Sequence, residues 1–183
     1  MRLGMLLFMG GCVVLGYACS ENAGPRELKA ELTLIERHEA ALKLFIDSSE
    51  SVDWEDAEVA ESVRALLRAY AAFANQHHGD SLAGAFLMRR ADLLQGRGDF
   101  EEAVNQWLSV LEGYPQAHFA PEAIFRIGFT RETALRDTMG ALKAYGQLVD
   151  IYPESMWTEQ AQHSLKWLTF SEAQMIQALE EEK

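Results

Sequence analysis

Apolar residues recur at helical spacing along nearly all of this chain from Leu28 onward. The clearest run is Val59, Val63, Leu66, Leu67, Tyr70, Phe73 and Ala74. Its offsets keep all seven side chains on one stripe of an α-helix. Before it, Leu28, Leu32, Ile35, Leu42 and Ile46 trace a first apolar face. The polar run SSESVDWED interrupts that face, with Asp53 or Ser51 placed to cap the next helix. A third helix is predicted from about Leu82 to Leu94, stopping at QGRGD. Asp99, with Glu102 three residues later, reads as a capping box in which Asp replaces Ser or Thr. The fourth helix it opens carries Phe100, Ala103, Val104, Trp107, Leu108 and Leu111 on one face. Tyr114-Pro115 ends that helix, because proline disfavours helical geometry in the residue before it. Pro121 begins a fifth helix, where its missing N–H costs nothing, and the pattern runs to about Ala134. Asp137 caps a sixth, with Ala141, Tyr145, Leu148, Val149 and Tyr152 on its face, closed by Tyr152-Pro153. Ser155 caps a last, long helix through Trp157, Ala161, Leu165 and Leu168 to Glu182.

The pattern repeats. Pro115 and Pro153 stand 38 residues apart, and Ala103 to Ala141 and Trp107 to Tyr145 keep the same spacing. An earlier, degenerate copy sets Tyr70 before Trp107 by 37 residues, with His77-His78 where Tyr-Pro falls later. A fixed period in this range, with two helices per unit, predicts an all-α helical solenoid. One helix pair cannot bury its own apolar face, so copies stack.

Charge and cysteine use then change the picture at the N-terminus. The chain has 183 residues, 49% of them apolar, and a formal net charge of -12. An acidic surface repels phosphate backbones, which excludes nucleic acid as a partner, and it disfavours adhesion of the folded domain to anionic lipid. Residues 1–18 carry one early charge, Arg2, then an uncharged apolar run from Leu3 to Leu15 and small residues before Cys19. This is the layout of a secretory signal, with a run shorter than the about 20 residues a membrane span needs. An uncleaved N-terminal anchor is the alternative. Removing the segment takes away only Arg2 and leaves the mature chain one unit more acidic. The only cysteines are Cys12 and Cys19, so cleavage before Cys19 leaves a single thiol at the new terminus and no internal disulfide. The region resembles a bacterial lipoprotein signal, which makes Cys19 the expected lipid attachment point. It departs from the usual lipobox in having Gly16 where Leu is common, and ordinary cleavage after Ala18 also fits. Acyl chains anchor firmly, at about 0.8 kcal/mol per buried CH₂. The expected organisation is a signal peptide at 1–18, a lipidated tether at 19–26 and a helical domain at 27–183.

PEAIFRIG from Pro121 and GDFEEAVNQWLSVLEGYP from Gly98 resemble the two halves of a tetratricopeptide repeat. Ala91 and Gly128 fall at its small crossing position, and Ala103 and Ala141 at the small position of its second helix. The Tyr-Pro punctuation is similar to that of the BamD and CpoB class of bacterial envelope proteins. The strong likeness covers about residues 80 to 155. The third unit departs from it, with RETALRDTMGA in place of a Gly-Asp-aromatic turn. The chain also has room for about three helix pairs and a terminal capping helix, where BamD-type proteins usually carry five repeats. The resemblance implies a right-handed solenoid and a non-enzymatic scaffold for protein or peptide partners, facing the periplasm from the outer membrane. Outer-membrane protein assembly is the leading role. Coordination of Tol or peptidoglycan machinery, and service as an accessory subunit of an envelope enzyme, are the alternatives.

The resemblance also implies where a partner binds, because first helices line the groove in this repeat type. Met88, Phe125 and His163 form one column, and Asp92, Phe129 and Trp167 the other, with Glu122 and Glu132 at the flanks. Phe125 and Phe129 are four apart and share a face. Such a groove suits a peptide with apolar anchors and basic residues. The competing expectation is that these aromatics pack between repeats or lie under the last helix. No cofactor, metal or small-molecule substrate is expected. His77-His78 are chain neighbours that cannot readily share an ion, GRGD at 96–99 is an inter-helix turn, and no phosphate loop, HExxH or GxSxG motif occurs.

Overall fold

Capping side chains and turn residues set where each helix begins and ends. The computed structural model describes residues 24–48 and 52–170. The signal segment, Cys19, most of the tether, Ser51 and the expected stretch beyond Phe170 lie outside the described residues. Within them run seven helices: α1 (Pro25–Ser48), α2 (Ala57–Gln76), α3 (Ser81–Arg97), α4 (Phe100–Gly113), α5 (Ala120–Thr133), α6 (Thr138–Ile151) and α7 (Met156–Thr169). No strand occurs among the described residues. Helix α1 starts two residues inside the expected tether.

Two of the four expected caps are present. Asp137 accepts from the Gly140 N–H at 2.8 Å and opens α6, and Ser155 accepts from Trp157 and opens α7. Two expectations need correction. The cap of α2 is Asp56, whose carboxylate accepts from Glu58 and Val59. Asp53 instead holds the preceding turn, accepting from the Glu55 N–H. Asp99 precedes α4 but makes no side-chain cap bond; its carboxylate turns to Arg97 at 2.7 Å. The turn between α3 and α4 uses Gly98 at φ 91°. The matching position 38 residues on is Arg136, a non-glycine residue at φ 55°. That is the backbone reason the third unit does without its glycine.

The helices stack in chain order, each packed on the next, and α5 also meets α7. Two cores result. One joins α1, α2 and α3 through Ile35, Leu42, Val63, Tyr70, Phe73 and Phe86. The other joins α3 through α7 around Trp107, Tyr145, Ile124 and Leu148, all at most 2% exposed. Leu67, Leu87 and Tyr114 pack against both, so the cores are continuous. Small residues permit the close crossings. A Cβ on Gly128 would stand 2.6 Å from Tyr145 Cε1, and Ala91, Ala103 and Ala141 are fully buried.

The last helix differs from expectation. It ends at Thr169, whose hydroxyl donates to the Leu165 carbonyl at 2.8 Å, and Phe170 is extended. At the repeat position of Ala91 and Gly128, α7 carries Lys166, which is exposed and sets its Nζ 5.5 Å from the centre of the Phe170 ring.

Candidate functional site

The expected groove residues divide into three groups by where α3, α5 and α7 place them. Met88 is a correction: it is 6% exposed and belongs to the central core. Helix α3 is covered by α2 on one side and α4 on the other, so its buried arc is wide enough to take in Met88 with Ala91 and Leu94. Phe125 is partly buried. It stacks on Trp157 of α7 with centroids 5.0 Å apart and lies 5.8 Å from Tyr145 of α6. Much of its surface therefore seals α5 against its neighbours.

Phe129 is placed differently. It stacks on Phe125 at 6.3 Å, yet 46% of it is exposed. Its ring is held on one side and open on the other. His163 is exposed, and Trp167 is half-buried, edge-on to Phe170 at 6.3 Å.

The carboxylates are engaged rather than free. Arg126 donates two hydrogen bonds to Glu122 Oε1, at 2.9 and 2.8 Å, and its Nη1 lies 3.4 Å from Asp92 Oδ1. Burial pushes the Asp92 carboxyl above its ordinary value; Arg126 pulls it back and Glu122 opposes that. Trp107, fully buried, has its indole N–H near Asp92 but in no well-aligned hydrogen bond. Glu132 accepts from the Tyr145 hydroxyl at 2.8 Å. Burial, reinforced by that bond, raises the tyrosine well above its ordinary range.

Arg126 is the residue that sequence reasoning missed. It joins carboxylates from two first helices, and its Glu122 partner stands four residues before it, a spacing that was there to be read. The other polar motifs are structural. His77 ends α2, stacks on Phe73 at 4.4 Å and meets Glu31 of α1 at 2.5 Å. Of the GRGD stretch, Gly96 and Arg97 end α3, and Gly98 and Asp99 form the turn to α4. Among the described residues, no group of three or more His, Cys, Asp or Glu is placed to hold a metal, and no helix is long and apolar enough to cross a membrane.

Comparison with known families matches residues 122–155 to the tetratricopeptide repeat. The matched span contains Phe125, Phe129, Glu132 and the α6 cap Asp137. No curated protein gives a significant match to the sequence. The seven helices of the described residues, stacked in chain order, form an all-α solenoid of tetratricopeptide type. Repeats of this family typically mediate protein–protein interaction.

Proposed function

We propose that this chain is a non-catalytic scaffold of the bacterial cell envelope, anchored by lipid on Cys19. It presents the first-helix face of α5 and α7 to a protein or peptide partner. The observation that carries the reading is Phe129, a large aromatic ring stacked on one side and 46% exposed on the other, inside the matched repeat. A scaffold face needs apolar anchors that the fold orients without covering, and Phe129 meets that requirement. The signal-like segment ending at Ala18 and the single cysteine behind it support residence at the outer membrane, facing the periplasm. Outer-membrane protein assembly is the role this reading favours.

A crosslinked capture from native envelopes with the lipidated protein, identified by mass spectrometry, tests it. Recovery of barrel-assembly components, lost in Phe129→Ala while the fold keeps its stability, is the expected result. Recovery of Tol or cell-wall enzymes moves the role to coordination of that machinery. A Phe129→Ala change that removes about 3 kcal/mol of stability instead makes the ring part of the core. Cys19→Ala is expected to release the protein from membranes; tight membrane binding in that variant overturns the lipid anchor.

A further inference from the structure

Helices α1 and α3 line an open pocket of about 410 Å³ that shares no residue with the Phe129 site on α5 and α7. Leu32, Glu36 and Glu39 of α1 and Leu82, Phe86 and Arg89 of α3 line it. Its floor is apolar, with Phe86 only 4% exposed. Its acidic wall is built by the fold. The hydroxyl of buried Tyr70 donates to Glu39 Oε1 at 2.6 Å and fixes the carboxylate. Arg89 then reaches in from the rim, with Nη1 2.8 Å from the same oxygen and its guanidinium carbon 5.4 Å from the centre of the Phe86 ring. Glu36, on the same wall, is exposed and makes no ion pair or hydrogen bond among the described residues. The pocket thus holds two carboxylates beside an aromatic ring that Arg89 covers, and that one cation among the lining residues neutralises only half of the acidic charge.

We propose that this pocket receives an arginine or lysine side chain of a protein partner, carried next to an apolar residue. The cationic head sits between Glu36 and Glu39 over the Phe86 ring, and the apolar neighbour packs on Leu32 and Leu82. Charge complementarity selects this occupant: the lining is net negative, and the chain carries -12 overall. Arg89 is the internal competitor, shielding Phe86 and holding Glu39 until a partner's cation displaces it. The proposal rests on the scaffold reading and adds a second, charge-selective contact to it.

The test is a titration of the full-length chain with acetyl-Leu-Arg-Leu-amide, followed by backbone amide resonances, with the citrulline peptide as its neutral counterpart. Shifts are expected at Leu32, Glu36 and Phe86, with the citrulline peptide roughly tenfold weaker and Glu36→Gln roughly fivefold weaker. Arg89→Ala, which removes the competitor, is expected to tighten binding roughly threefold. A merely structural Arg89 produces no such gain. Shifts confined to α5 and α7, or weaker binding in a folded Arg89→Ala, overturn the pocket assignment. A peptide that binds nowhere while envelope partners are still captured overturns this proposal alone; loss of both overturns the scaffold reading as well.

Discussion

At the scale of single residues, the stack depends on small side chains facing large ones. Gly128 lies against the Tyr145 ring, which is fully buried and has no room to move. Gly128→Ala is therefore expected to destabilise the fold by about 1–3 kcal/mol, the usual range for forcing volume into a packed core. Urea unfolding measures this directly, and a midpoint unchanged from the parent counts against the crossing geometry. The two buried tyrosines make a second prediction. Burial, with a carboxylate acceptor in each case, raises Tyr70 and Tyr145 above the ordinary value of 10.0. The folded chain keeps these protons to higher pH than the unfolded chain does. Their contribution is fully present below pH 10 and is lost as pH rises above it. The unfolding midpoint should fall as pH rises above about 10, and Tyr145→Phe should flatten part of that fall; an equal slope in parent and variant refutes the assignment.

At the scale of elements, the helix ends were the most legible feature, because proline, glycine and short polar side chains act locally. Tyr114-Pro115, Tyr152-Pro153, Asp137 and Ser155 stand where the sequence pattern puts them. Asp99 departs: its carboxylate pairs with the Arg97 guanidinium and not with a backbone N–H of α4. The candidate site was less legible. The four-residue spacing fixes that Phe125 and Phe129 share a face, but exposure depends on neighbouring helices. Trp157 arrives from 32 positions away to cover one ring and leave the other. Met88 was misplaced for the same reason, since nothing local states how much of α3 its flanking helices cover. The α5–α6 turn carries its own prediction. Arg136 sits at φ 55° where the equivalent α3–α4 turn has glycine. Left-handed geometry costs an ordinary residue about 1–2 kcal/mol, partly offset by the greater freedom glycine has when unfolded. Arg136→Gly is expected to raise stability by roughly 0.5–1 kcal/mol. A loss of stability in thermal unfolding means the arginine side chain contributes more than its backbone strains.

At the scale of the whole molecule, a solenoid's stability is distributed from neighbour to neighbour rather than held by one centre. Helix α1 places only Ile35 and Leu42 among the buried hydrophobic core, whereas α4 buries Trp107, Val110, Val104 and Ala103. Native-state hydrogen exchange should therefore open α1 first, with amides at least about tenfold less protected than those of α4. Uniform protection across all seven helices contradicts a stack with a weak end. The opposite end carries a different signature. Lys166 occupies the place where earlier units put alanine or glycine, so a helix packed there meets a long charged side chain and not the gap that Gly128 leaves for Tyr145. A helix added by duplication therefore finds a different surface on α7 from the one that α6 finds on α5. A copied unit of 38 residues, cut at the prolines, has a small crossing residue on both sides when it is inserted between existing units. Lys166→Gly restores the small crossing residue on α7, and designed extensions of the stack on that helix begin with it.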